Sequence, residues 1–339
     1  MAGRPWFAWV PPAWRPWLGN LARLAVSAGL LAWLVAGSDG RQLWAILRRA
    51  DLLLYAACSL ISTAGMLLRT LRWKAVLDAA GARVSFRRAL YLFYVGAFFN
   101  TFLPTGLGGD VVRVLEIGRG ATAQQAVGTI LVERLTGFAV LFALMLAVLP
   151  AAAAVLPAAT VYGLGLLASG VLAAAGLVLE GRIIRRLLGW LGRWRLTRPL
   201  SLAGDTWLGQ TYQVITSVGG RAVARALLIS LIFNLSIIWS NWLAARALGL
   251  EIPVGLVAVA LPVISATLLV PVSISGFGVR EGVVVALLGQ AGVGAPEALA
   301  LSLAWYGLDM LDGLYGGLIY FLTGALGLRP RPAGDHPPQ

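Results

Sequence analysis

Residues 100–113, "NTFLPTGLGGDVVR", decide how this chain is read. The stretch lies between apolar runs, yet it holds a proline, three glycines, an aspartate and an arginine. Proline removes a backbone donor and clashes with the preceding turn, and glycine is a poor helix former. A helix crossing a bilayer should stop here. The question is where the chain goes next.

Its surroundings are those of a polytopic α-helical membrane protein. Of 339 residues, 59% are hydrophobic and only 12% charged, against about a quarter charged in a soluble domain. Several apolar runs approach the ~20 residues that cross a bilayer. The short alternating strands of a membrane barrel are missing. The formal net charge of +13 is read as arginine gathering in cytoplasmic loops, not as a nucleic-acid footprint. Cys58 is the only cysteine and His336 the only histidine. An intrachain disulfide, a Cys/His zinc site and His-based catalysis are therefore not expected. The glycines lack the Gly-Lys-Ser/Thr ending of a nucleotide-binding loop, so no cofactor is implied.

Residues 1–17 alternate Trp with Pro and Arg and read as an interfacial lead-in. A single membrane domain follows over 18–326, and a Pro-rich tail, expected to be disordered, over 327–339. Six full spans are predicted at about 18–37, 51–68, 130–149, 156–179, 223–247 and 297–326. The first is an uncleaved helix rather than a signal peptide, because further spans follow and no strong cleavage site is present. Residues 69–88 carry Arg69, Arg72, Lys74, Arg83, Arg87 and Arg88 against Asp78, a net of +5. Residues 180–222 carry seven arginines against Glu180 and Asp205, again +5. The positive-inside rule places both segments in the cytoplasm. Within the second, Ile183, Leu187, Leu191 and Trp194 share a helical face. That suits either a helix lying on an anionic leaflet or an ordinary connecting helix.

Two cytoplasmic segments are separated by an even number of crossings. The spans at 130–149 and 156–179 supply that number, so 86–122 must enter and leave on the cytoplasmic side. Its second half, about 109–120, is too short to cross ~30 Å at ~1.5 Å per residue. A re-entrant hairpin is predicted. The same argument makes 253–290 a hairpin entering from outside, broken by "VPVSISGFGVRE" at 270–281. Two broken segments in opposite orientation predict an inverted-topology repeat, with a binding site where they meet.

The helices after the breaks start near Gly109 and Gly278. Unpaired N–H groups and the helix dipole make such ends attractive to anions. Arg113 and Arg280 lie within the first turn or so, and a guanidinium can grip phosphate with two parallel bonds. Asp110, Asn100, Gly108, Gly109, Ser273, Ser275, Gly276 and Glu281 complete the candidate substrate-binding set. The simpler alternative is that Arg113 neutralises Asp110 at i,i+3. Glu133 and Arg134 are adjacent in an apolar context, so each needs a partner elsewhere. Asp309 and Asp312 share one face near the centre of the last span. They are candidates for ion pairing with Arg113, Arg134 or Arg280, for proton coupling, or for a paired-acid hydrolytic site.

Four motifs follow in order: "RTLRWKAVL", "FFNTFLPTGLGGDVVRVLEIGRG", "LVERLTGF" and "LPVISATLLVPVSISGFGVREG". Together they resemble the flippase-like transmembrane domain of lysylphosphatidylglycerol synthase, the multiple peptide resistance factor family. The resemblance covers about 20–325. It implies movement of lipid between leaflets and carries Arg113, Asp110, Glu133, Arg134, Arg280 and Glu281 over as the functional core. A counterpart of the family's soluble synthase domain is not expected, since only a short tail follows residue 326. The expectation is a stand-alone member in a bacterial inner membrane, multi-pass, with both termini cytoplasmic. It would be a transporter rather than an enzyme. Its partner would be an anionic phospholipid or lipid-linked substrate, with a homo-oligomer or a separate synthase as possible protein partners. An intramembrane transferase or hydrolase, or a structural partner of such an enzyme, is the alternative.

Overall fold

Side chains that accept backbone N–H groups start most of the helices. Asp39 opens α1 (Gly40–Arg48) and Asp51 opens α2 (Leu52–Ala79). Ser85 opens α3 (Phe86–Phe102). Thr122 and Gln125 form a reciprocal capping box at the head of α5 (Ala123–Ala152). Between these last two lies α4 (Gly108–Glu116), followed by a 3-10 turn at Gly118–Gly120. Then come α6 (Ala158–Glu180), α7 (Trp207–Ser217), α8 (Gly219–Ala247), α9 (Val254–Thr267), α10 (Val279–Gln290) and α11 (Ala295–Ala325).

The computed structural model describes residues 25, 27–30, 32–34, 36–103, 108–180, 206–269 and 276–326. Among them there are helices and no strands. The lead-in over 1–17, the tail, residues 181–205 of the basic segment and the centres of both breaks lie outside the described residues. The described positions from 25 to 36 are helical.

Helices α2, α5, α6 and α8 are long and apolar enough to cross a membrane. Helix α11 has 31 residues, ~46 Å at 1.5 Å per residue, and carries Asp309 and Asp312 in its middle. Large apolar side chains such as Leu60, Leu166, Leu228, Trp239 and Phe321 stand at least half exposed on the outside. Hydrocarbon is the solvent in which such a surface is stable.

Inside, α2 packs along α8, and α3 along α11. The second contact is close because α11 presents glycines. A Cβ on Gly316 would strike the Tyr94 carbonyl, and one on Gly317 the Phe98 ring. One apolar core surrounds Phe142, Met145, Leu288, Leu299 and Leu301. A second surrounds Trp73, Leu77, Leu92 and Ile130.

The helices stop and restart where the two broken segments were expected. Helix α3 ends at Phe102 and α4 begins at Gly108. The two run antiparallel: Asn100 of α3 accepts from the Gly109 N–H at 2.7 Å, while Arg88 at the other end of α3 donates to the Glu116 carbonyl. In the second half α9 ends at Thr267 and α10 begins at Val279.

One boundary departs from expectation. The run predicted to end near 68 continues as helix to Ala79. Nothing in "LRTLRWKAVLDA" breaks a helix. The stop comes at Gly81, whose φ of 75° lets the Ala82 N–H reach back to the Leu77 carbonyl at 2.9 Å. Arg69 and Arg72 are therefore helix-face residues, not loop charges, and Arg72 is only 4% exposed.

Candidate functional site

Residues flanking both breaks line one cavity of about 640 Å³. Asn100 and Thr101 come from the end of α3, and Leu268, Leu269, Gly276 and Arg280 from the α9–α10 break. Helices α2, α5, α8 and α11 complete the wall with Arg69, Arg72, Glu133, Arg134, Asn234, Asn241, Asp309 and Asp312. The volume lies within the ~300–1,000 Å³ of ordinary ligand pockets.

Behind one wall lies a dense ion network. Glu133 is 1% exposed and pairs with Arg72. Its second oxygen lies 3.7 Å from Arg113 Nη1. Asp110 sits between two arginines: its Oδ1 accepts from Arg113 at 3.0 Å and its Oδ2 from Arg134 Nε at 2.6 Å. Arg72 Nη1 also donates to the Ser230 hydroxyl at 2.9 Å. Glu133 and Arg134 thus take separate partners, as adjacent helical residues must. Arg113 is 3% exposed and lies 4.0 Å from the ring centroids of both Trp73 and Phe93. It stands behind the cavity wall, not on it.

The other break is arranged differently. Arg280 lines the cavity and donates to Asp309 Oδ2 at 2.8 Å. Its guanidinium lies 5.3 Å from the Tyr306 ring. Asp309 is 55% exposed. Asp312 is 6% exposed and has no arginine partner among the described residues. It accepts from the Ser62 hydroxyl at 2.6 Å and the Thr63 hydroxyl at 2.9 Å. The two aspartates share a face of α11 but turn to different partners instead of converging on one acid pair.

Both helix starts are capped from within. Asn100 takes the Gly109 N–H. A Cβ on Gly109 would strike the Gly96 carbonyl, so glycine is what lets α4 lie so close to α3. At α10 the Gly278 N–H donates to Glu281 Oε2 at 2.6 Å. Glu281 is fully buried, and its Oε1 has no hydrogen-bond partner among the described residues. With one N–H at each end already satisfied, arginine side chains are the principal cationic donors facing the cavity.

Of the residues expected at the site, Asn100, Gly276, Arg280, Glu133, Arg134, Asp309 and Asp312 meet at this cavity. Arg113, Asp110, Gly108, Gly109 and Glu281 support its walls. Ser273 and Ser275 lie outside the described residues. Sequence reasoning missed Arg69, Arg72, Ser62, Asn234 and Asn241. The signal was present: Ser230, Asn234 and Asn241 recur at helical spacing on one face of an apolar span, and Ser62 and Arg69 are two turns apart on α2.

The fold and cavity define a multi-pass helical membrane protein with an arginine-rich interior. Residues 20–312 match the lysylphosphatidylglycerol synthase TM region family, and the chain belongs to it. A UPF0104 membrane protein of Archaeoglobus fulgidus is 28% identical over 119 residues, a match spanning 35% of each chain.

Proposed function

We propose that this chain is a lipid transporter, flippase- or scramblase-like, which moves a lipid with an anionic head group between the leaflets of the cytoplasmic membrane. The α3–α4 and α9–α10 pairs are its re-entrant hairpins, in inverted orientation. They accompany six full spans, with both termini cytoplasmic. The observation that carries this reading is a cavity walled by residues from both breaks, with Arg69, Arg72, Arg134 and Arg280 in its lining. Non-helical backbone at membrane depth is tolerated where it borders a wet cavity, and arginines buried in hydrocarbon are stable only where something balances them. Helix α4 has nine residues, ~14 Å, which is too short to cross. Asp312, which accepts from two hydroxyls and has no ion pair among the described residues, is the residue we assign to coupling transport to protons.

Reconstitution into liposomes with fluorescent lipid tests the proposal. Dithionite should bleach more than the half of the signal it removes from empty vesicles, and more for anionic than for zwitterionic lipid. Bleaching that stays at half for every lipid class overturns it.

A further inference from the structure

Arg69 is the cavity-wall arginine with no carboxylate in direct contact among the described residues; Glu133 and Asp110 act on it only from a distance. Arg72, Arg134 and Arg280 each have a carboxylate. Arg69 makes no hydrogen bond or ion pair among the described residues. It lies beside two aromatic rings, 5.3 Å from Phe93 and 5.7 Å from Phe233. Those rings are shared. Phe233 also carries Arg72 at 5.8 Å, and Phe93 carries Arg113 at 4.0 Å. Arg134 is within electrostatic reach of Arg69 as well.

At this end of the cavity, then, four arginines (Arg69, Arg72, Arg113, Arg134) stand against Asp110 and Glu133, with Asp312 a third carboxylate within electrostatic reach of Arg69, which leaves an excess of positive charge among the described residues. Asp312 makes no direct ion pair with Arg69; it is held by Ser62 and Thr63, on the same helix as Arg69. Clustered cations in a low-dielectric interior repel one another, and aromatic faces relieve only part of that. An anion entering the cavity supplies what the cluster lacks.

We propose that Arg69 takes the phosphate of the transported head group, and that the excess of positive charge makes its end of the cavity prefer a dianionic phosphomonoester to a singly charged phosphodiester. This rests on the lipid-transport reading above. The planar fork of arginine suits such a phosphate, and the arginines ranged behind it favour the second charge.

The test uses the full chain in detergent and native mass spectrometry with four probes. These are short-chain phosphatidic acid, phosphatidylglycerol, phosphatidylcholine and inorganic phosphate. Phosphatidic acid should bind about tenfold tighter than phosphatidylglycerol, and phosphatidylcholine weakest. Arg69→Gln should erase that order while the exposed Arg221→Gln keeps it. Because Arg69 has no hydrogen bond or ion pair among the described residues and shares its aromatic rings with other arginines, its removal should leave the melting temperature unchanged or raised. Should the Gln variant not fold, Arg69→Lys carries the test: it keeps the charge, loses the fork, and should narrow the monoester preference. A wild-type order of preference in the Arg69 variant overturns the assignment. Inorganic phosphate competing as well as phosphatidic acid identifies a soluble anion and overturns the lipid part. Wild-type protein that moves lipid in liposomes without favouring phosphatidic acid defeats this inference and leaves transport standing. Protein that neither binds nor moves lipid defeats both.

Discussion

Helices α4 and α10 begin alike and then diverge. Each follows a break, has glycine at its N-terminal end (Gly108 as the first residue of α4, Gly278 as the N-cap of α10), has an N–H capped by a side chain of the same hairpin, and carries an arginine within its first two turns. In α4 that arginine is sealed. Arg113 lies within 4.0 Å of the Trp73 and Phe93 ring centroids, and its Nη1 meets the carboxylates of Asp110 and Glu133. In α10 the arginine faces the cavity, with one half-exposed carboxylate beside it. Similar strings, "GGDVVR" and "GFGVREG", thus serve different ends. The first half-helix anchors an ion network that holds three helices together. The second presents a charge to whatever enters.

The largest effect should follow from attacking the anchored side. Glu133→Gln keeps the shape of the side chain but leaves Arg72 and Arg113 buried without their shared carboxylate. Breaking a buried pair this way costs about 3–5 kcal/mol, so unfolding in detergent should shift to far lower temperature or denaturant. A loss below about 1 kcal/mol would show that the network is not what holds α2, α4 and α5 together.

Next in size is a matched pair of glycine substitutions. Gly109→Ala should cost about 1–3 kcal/mol, the range of overpacking, because its Cβ meets the Gly96 backbone, which cannot swing aside, as well as the Asn100 amide. Gly282→Ala, in the interior of α10, meets nothing within 4 Å. It should be neutral or stabilise by up to about 1 kcal/mol. Equal effects at both positions would remove the contrast between a tightly docked and a loosely docked half-helix.

The contrast also explains what could be seen in the sequence. The helix breaks were legible because proline and glycine act locally on the backbone. The Asp110–Arg113 contact was legible because i,i+3 spacing is fixed by the helix. The fate of Arg69 and Arg72 was not. Counting charges near the end of a span treats every arginine there as a loop residue. Whether one turns inward is decided by Glu133, sixty-one positions away. Arg88 escaped for the same reason: it reaches the Glu116 carbonyl at the end of α4. Three of the six basic residues that implied a cytoplasmic segment, Arg69, Arg72 and Arg88, thus turn into the fold. The pairing of Asp309 with Arg280 was one of three open choices, and only the packing of α10 on α11 selects it.

On the presented side, stability should change little while transport changes much. Arg280→Gln removes a partner from an aspartate that is already 55% exposed, a loss of about 1 kcal/mol or less. Lipid movement in liposomes should fall at least about tenfold, the cost of one charged contact. If Arg280→Gln unfolds the protein as severely as Glu133→Gln, the second half-helix is an anchor too and the distinction fails.

Asp312→Asn should perturb the fold least and sharpen the comparison most. The amide has the carboxylate's shape and can still bond Ser62 and Thr63, whose hydroxyls both donate and accept. Stability should therefore stay within about 1 kcal/mol of the wild type. What asparagine cannot do is take up and release a proton. If Asp312 couples transport, wild-type liposomes should respond to an imposed pH gradient and the variant should not, while its gradient-free rate persists. A variant that responds as the wild type does removes Asp312 from coupling. It would leave the Ser62–Thr63–Asp312 cluster as a structural contact between α2 and α11, the counterpart at the cavity's other wall of the network around Glu133.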